Sequence, residues 1–185
     1  MLNVQKNNEA IKIKGSKLMY VWMFLATAGF LIACLYMIIH GLKFDSKYSL
    51  FYIVGGFIFT PFYLYLTLWH LPGLRPGKVL LTIVSGENGT VISKKGTVLI
   101  RNIRNIHMVR NPLNLINDIV IETFDDKKIK IRTYNLIGDL HYELIVDKYI
   151  FPYMTENARK VWDRKVNLEE LSKVAKYERQ EQKFD

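Results

Sequence analysis

A chain of 185 residues has room for one ordinary domain plus a membrane segment. Half of it is hydrophobic although its mean hydropathy is near zero, so the apolar residues are gathered into blocks beside a charged remainder. The formal net charge of +9 and the single cysteine, Cys34, exclude an internal disulfide and direct the basic excess to a membrane surface rather than to nucleic acid.

No charged side chain occurs from residue 18 to residue 39, or from 49 to 69. At a helical rise of ~1.5 Å per residue, each block can cross a bilayer of roughly 30 Å. Residues 41–48 between them are too few for anything but an antiparallel return. The sequence therefore predicts a membrane hairpin over residues 18–71, preceded by a basic arm over residues 1–17. Lys6, Lys12, Lys14 and Lys17 precede the first span, and Arg75 and Lys78 follow the second. The loop carries Lys43 and Lys47 with Asp45 between them. This asymmetry predicts a multi-pass cell-membrane protein with both termini cytoplasmic. Tyr20, Trp22, Tyr48 and Trp69 mark the interfaces.

Small residues four apart suggest close helix contact: Gly29 and Ala33 in the first span, Gly56 and Thr60 in the second, with Gly55 beside them. Pro61 is expected to kink the second helix. Residues 31–34, ending in Cys34, resemble the lipobox at which bacterial lipoproteins are cleaved and lipidated. The apolar run continues to residue 39, and the block is longer than a signal core. Both features favour a retained hairpin.

Residues 72–77 hold two Pro-Gly pairs with 71 and read as a hinge-like linker. The period then changes to two. Strands are predicted over 78–85 and 90–93, and over 97–100 and 103–109 as one bent strand. A loop over 111–117 precedes the clearest hairpin, 118–124 and 128–134. There Ile129 and Ile131 alternate with Lys128, Lys130 and Arg132, giving one buried and one basic face. Glu122 is placed to oppose a lysine. Asp139 is the expected N-cap of a helix to about 150, packing through Leu140, Leu144, Ile145 and Tyr149. Thr155 and Asn167 are expected to cap two more. The tail after Tyr177 is expected to fray. The fold class is α+β: a two-helix transmembrane hairpin, then over residues 78–154 an antiparallel bent sheet or partly closed barrel of five or six strands, then a charged helical segment over 155–185.

The stretch from residue 78 to about 150 resembles the bacterial pleckstrin-homology-like domains that follow paired transmembrane helices. The strand carrying 101–106, the strand pair ending in 128–135 and the following helix carry that likeness. The whole chain is similar to small two-span membrane proteins of Gram-positive bacteria, many without an assigned function. The resemblance implies a bent antiparallel barrel with a C-terminal helix. Some proteins of this build act as immunity factors beside secreted toxins.

No catalytic constellation stands out. His40, His70, His107 and His141 lack carboxylates at useful spacing, and neither a cofactor nor a metal is implied. The basic positions Lys94, Lys95, Lys127, Lys128, Lys130 and Arg132 are candidate contacts for anionic lipid headgroups or a protein partner, if both hairpin tips face the bilayer. The expected function is a non-enzymatic membrane protein with a cytoplasmic binding module. The rivals are an immunity protein acting against a toxin, and a membrane-bound enzyme with an unrecognised site. The sequence carries no signal for the oligomeric state.

Overall fold

The computed structural model describes residues 3–7, 10–86 and 88–179. Its first two elements are strands, β1 (Asn3–Asn7) and β2 (Ala10–Lys14). A long helix follows, built from α1 (Lys17–Phe24), a π-helical turn (Leu25–Gly29) and α2 (Phe30–Gly41). After a short loop, α3 (Ser49–His70) returns antiparallel and runs unbroken through Pro61. Six more strands come next: β3 (Val79–Val84), β4 (Thr90–Ser93), β5 (Gly96–Leu99), β6 (Ile103–Arg110), β7 (Asn117–Thr123) and β8 (Lys128–Arg132). Three helices close the chain: α4 (Asp139–Tyr149), α5 (Glu156–Asp163) and α6 (Leu168–Ala175).

The two long helices are apolar enough to cross a membrane, and in each only 11% of the most apolar window is buried. A core helix of a soluble protein would be mostly covered. Here Leu50, Phe51, Phe57 and Ile58 are all more than 60% exposed. An apolar surface this continuous is stable only against an apolar surrounding, which fits a membrane protein.

The basic arm is not a loose tether. β2 pairs antiparallel with β3, in register from Ala10↔Val84 to Ile13↔Leu81, and β1 pairs on the outer side of β2. One strand leads into the helix pair and the other leads out of it, so their antiparallel pairing follows from the hairpin itself. Ile11 and Ile13 face inward and are 4% and 0% exposed. Each contributes about 1.5–3 kcal/mol of burial energy.

Five strands form one sheet in the order β1-β2-β3-β4-β5, and β6-β7-β8 form a second. The residues predicted as one bent strand are divided by a 3-10 turn (Ile100–Asn102) that sends β5 and β6 into different sheets. Residues 78–154 hold six strands, within the expected five or six, but the expected single continuous sheet is corrected to two sheets, with β1 and β2 added to the first and no closed barrel among the described residues. The core lies between the sheets and α4. Ile83, Ile100, Ile103, Ile121 and Leu136 are 0–1% exposed.

On α4 the buried face is Tyr142, Ile145 and Val146, not Leu140 and Leu144. Its N-cap is Gly138 rather than Asp139, which occupies the first turn. Asn167 does cap α6: its side chain accepts from the Glu170 N–H at 3.1 Å. Part of the predicted frayed tail is fastened. Arg179 Nε donates to Asp147 Oδ2 at 3.0 Å, and Nη1 to Asp163 at 2.6 Å. The Trp162 indole donates to the same buried Asp147 at 2.9 Å. The last residues, 180–185, lie outside the described residues.

If β2 is a structural strand, Ile13→Ala should destabilise the full chain in mild detergent by about 2–5 kcal/mol. Lys12→Ala, on the outer face, should change stability by no more than about 0.5 kcal/mol. Denaturant unfolding followed by circular dichroism distinguishes this from a detached arm, for which both variants would be silent.

Candidate functional site

The two ends of the helix pair enter the sheet domain at one loop, residues 133–138. Ser16 N–H donates to the Leu136 carbonyl at 3.1 Å. A Cβ on Gly15 would stand 2.7 Å from Leu136 Cβ, so only glycine admits this approach. Gly73, after α3, packs just as closely on the Tyr134 side chain. His70, buried at the end of α3, donates through Nδ1 to the Leu66 carbonyl at 2.8 Å. Its other nitrogen then accepts from Asn135 Nδ2 at 3.4 Å. Asn135 also donates to the Leu115 carbonyl (2.9 Å) and accepts from the Asn117 N–H (2.7 Å). Tyr134 and Asn135 both adopt left-handed backbone, φ 54° and 56°. Asparagine tolerates that region, whereas tyrosine is held there by its surroundings. The Pro-Gly segment is thus tied down at its start, where the Gly73 N–H donates to the His70 carbonyl at 2.7 Å. The predicted hinge is a braced corner.

Beside this corner the two sheets part and leave a cavity of about 400 Å³. β3 supplies Val79 and Leu80, β8 supplies Lys130, Ile131 and Arg132, and the β4–β5 turn supplies Ser93, Lys94 and Lys95. Ser93 shapes that turn: its hydroxyl accepts from the Lys95 N–H at 3.2 Å and donates to the Gly96 carbonyl at 3.1 Å. Two cation–ring pairs fix the end of the cavity nearest α3. Arg132 lies over Trp69 at 5.1 Å, and Lys78 Nζ over Tyr134 at 3.8 Å. Asp118 is the single acid in the lining, with Arg132 Nε 3.5 Å from its Oδ1. Five cations around one carboxylate make an anion-attracting concavity.

Four of the six basic residues singled out in the sequence, Lys94, Lys95, Lys130 and Arg132, therefore meet in one place. Lys127 and Lys128 do not. Lys128 stands four residues along β8 from Arg132, about 13 Å away, and its ammonium is bound to Glu122 at 2.7 Å. The β4–β5 turn belongs to one sheet and the β7–β8 turn to the other. The expected Glu122–lysine pair across β7 and β8 is present in that register. Lys78, Tyr134 and Asp118 were not singled out. In the sequence Lys78 reads only as a topology-setting charge, and the other two are recruited by the fold.

Between the helices, Gly56 packs against Cys34 and Ile38, and Gly55 approaches Met37. Thr60 donates to the Gly56 carbonyl of its own helix at 2.7 Å. Gly29 and Ala33 take no part in the contact: Gly29 meets only its own π-helical turn, and Ala33 is exposed. Gly41 takes up the role instead, against Ser49 and Ile53. A smaller cavity of about 200 Å³ between β6 and α4 holds His107, Asp139 and Glu143. Burial lowers the pKa of His107 and raises that of Glu143. Among the described residues no three His, Cys, Asp or Glu side chains are grouped to hold a metal ion.

Residues 9–172 match a family of unknown function, DUF5381. The chain belongs to that family. The matched span begins just before β2 and covers both long helices and strands β2 to β8, so the family match includes the helix pair as well as the sheet domain. Two relatives come from Bacillus subtilis (strain 168). The "uncharacterized lipoprotein YfjD" is 36% identical over 162 residues, covering 85% of this chain and 88% of the relative. The "uncharacterized protein YfjE" is 32% identical over 126 residues, covering 65% of this chain and 83% of the relative. No solved structure matches the chain.

The Glu122 pair generates a pH prediction. Hydrogen bonds from Lys128 and then Asn105 pull its carboxyl from an ordinary 4.5 down to about 2. A depressed carboxyl stabilises the fold fully above its unfolded pKa and loses that contribution as pH falls through the folded one. The loss should run from about pH 4.5 down to about 2 and be on the order of 1 kcal/mol. Glu122→Gln should flatten the unfolding midpoint across that window; an unchanged slope would contradict the pairing.

Proposed function

We propose that this chain is a two-span membrane protein whose sheet domain is a non-enzymatic recognition module held on the cytoplasmic face. The pairing of β2 with β3 carries this reading, because it requires both ends of the helix pair to lie on one side. The lysine and arginine excess flanking those ends supports the cytoplasmic side. Two antiparallel sheets followed by a helix support a pleckstrin-homology-like kinship for the module.

The prominent carboxylates have structural partners. Asp147 is bound to Arg179 and Trp162, Glu122 to Lys128, and Asp126 to Arg104 at 2.8 Å. That supports a binding role over an enzymatic one. The anion-attracting cavity at the braced corner is the surface best suited to recognition.

One relative is named a lipoprotein. Cleavage before Cys34 in this chain would remove β1, β2 and the first half of the long helix. The core would lose Ile11 and Ile13, and β3 its partner strand. We infer that the segment is retained and that Cys34 is a packing residue.

Topology can be tested in intact cells with an impermeant maleimide, using single cysteines in a Cys34→Ala background. Lys43→Cys, in the inter-helix loop, should label from outside. Thr97→Cys, on β5, should label only after permeabilisation. The reverse pattern would overturn the placement. Intact mass of the wild-type chain should show no truncation at Cys34.

A further inference from the structure

We propose that the basic cavity binds the phosphate of an anionic phospholipid from the adjoining leaflet. The inference rests on the membrane-spanning reading above and adds a ligand class to it.

Three observations carry it. The first is unspent charge. Among the described residues no acid is paired with Lys94, Lys95 or Lys130, whereas Lys128, Lys160 and Lys173 each have a carboxylate partner. These three exposed lysines line one cavity whose single acid, Asp118, is engaged by Arg132, so the cavity keeps a positive excess that an anion would offset. Asp118 is engaged by Arg132 at one end of the cavity, which leaves the lysine end free for a phosphate.

The second observation is height. Arg132 rests on the ring of Trp69, in the last turn of α3, and Lys78 donates to the Pro72 carbonyl at 2.5 Å. The cavity therefore begins where the apolar helix ends. Phosphate groups of a bilayer occupy that level.

The third observation separates a lipid from a soluble anion. A second concavity, of about 580 Å³ and mostly apolar, lies between the start of the first long helix and the segment after α3. Val21, Phe24, Leu25 and Leu74 line it, with Lys14 and Lys17 at one side and Gly77, the residue before Lys78, also in the lining. The chain passes directly from Gly77 of this groove to Lys78 of the cationic cavity, which sets an apolar surface suited to an acyl chain beside a site suited to a charged headgroup. A free phosphate would have no use for the groove.

The test uses the full chain, purified in neutral detergent and stripped of lipid. Native mass spectrometry reads binding of phosphatidylglycerol, phosphatidylcholine or inorganic phosphate. The wild type should retain phosphatidylglycerol and not phosphatidylcholine. Lys94→Glu/Lys130→Glu should weaken that retention at least about tenfold. Lys127→Glu/Lys173→Glu, with the same change in net charge away from the cavity, should leave it unchanged. If the first pair lowers the unfolding midpoint, Lys94→Gln/Lys130→Gln is read instead, with a loss of at least about threefold. Equal losses in the cavity and control pairs would reduce the effect to net charge and overturn the proposal. So would equal retention of phosphatidylcholine. Inorganic phosphate bound as tightly as phosphatidylglycerol would assign the cavity to a soluble anion. Detergent exposes both sides of the protein, so the outcome does not depend on which leaflet the cavity faces. Failure here and failure of the maleimide topology test are separate results.

Discussion

The antiparallel pairing of β2 with β3 is the constraint on which the rest of this protein depends. It joins residues 10–14 to residues 79–84 across the whole helix pair. Closing so long a loop is entropically unfavourable for a flexible chain. The helix pair offsets that cost by returning the chain to its starting level, with the helices in close contact at Gly41 and Gly56. Helix pair and sheet domain are then one structure rather than two linked parts. Two buried isoleucines before the first helix and the core strand after the second complete the same apolar layer.

The corner at residues 133–138 follows from that arrangement. Both helix ends must enter the domain side by side, and the loop after β8 receives them through Leu136, Asn135 and Tyr134. Because β8 ends at this corner, its outward face delivers Arg132 and Lys130 to the same level as the end of α3. The β4–β5 turn arrives there too, since β4 runs antiparallel to β3 and ends beside its start. The concentration of cations at this level is a consequence of strand register, not of proximity in sequence.

Much of this was legible in the sequence, and the failures have physical causes. The strands after residue 78, the Glu122–Lys128 pair and the Asn167 cap were readable because each rests on local alternation or a local hydrogen bond. β2 carries the same alternation as β8: Ile11 and Ile13 alternate with Lys12 and Lys14, as Ile129 and Ile131 do with Lys130 and Arg132. It was missed because lysines beside an apolar span have a sufficient explanation in topology, and because its partner lies across the helix pair. Gly29 does not serve as expected: regular four-residue spacing presumes a regular α-helix, whereas Gly29 ends a π-helical turn at Leu25–Gly29 and meets Leu25 and Phe24 of its own helix. Asp139 yielded the cap to Gly138, a shift of one residue that alternation cannot resolve. The cavity itself could not be read, since Lys78, Lys94 and Lys130 meet only once both sheets are in place.

The architecture depends on residues before the first helix pairing with residues after the second. The direct measurement is disulfide formation between Lys12→Cys and Thr82→Cys, outward-facing partners in the β2–β3 register, in a Cys34→Ala background and in native membranes. Antiparallel partners bring Cα atoms within the range a disulfide spans. Mild oxidation should close the bond as readily as in a control pair, Thr82→Cys with Ile92→Cys, which are partners within the sheet. Intact mass would register it as the loss of two hydrogens from an unprocessed chain. A control pair that closes while the Lys12–Thr82 pair stays reduced, or a chain that lacks residue 12, would contradict the account.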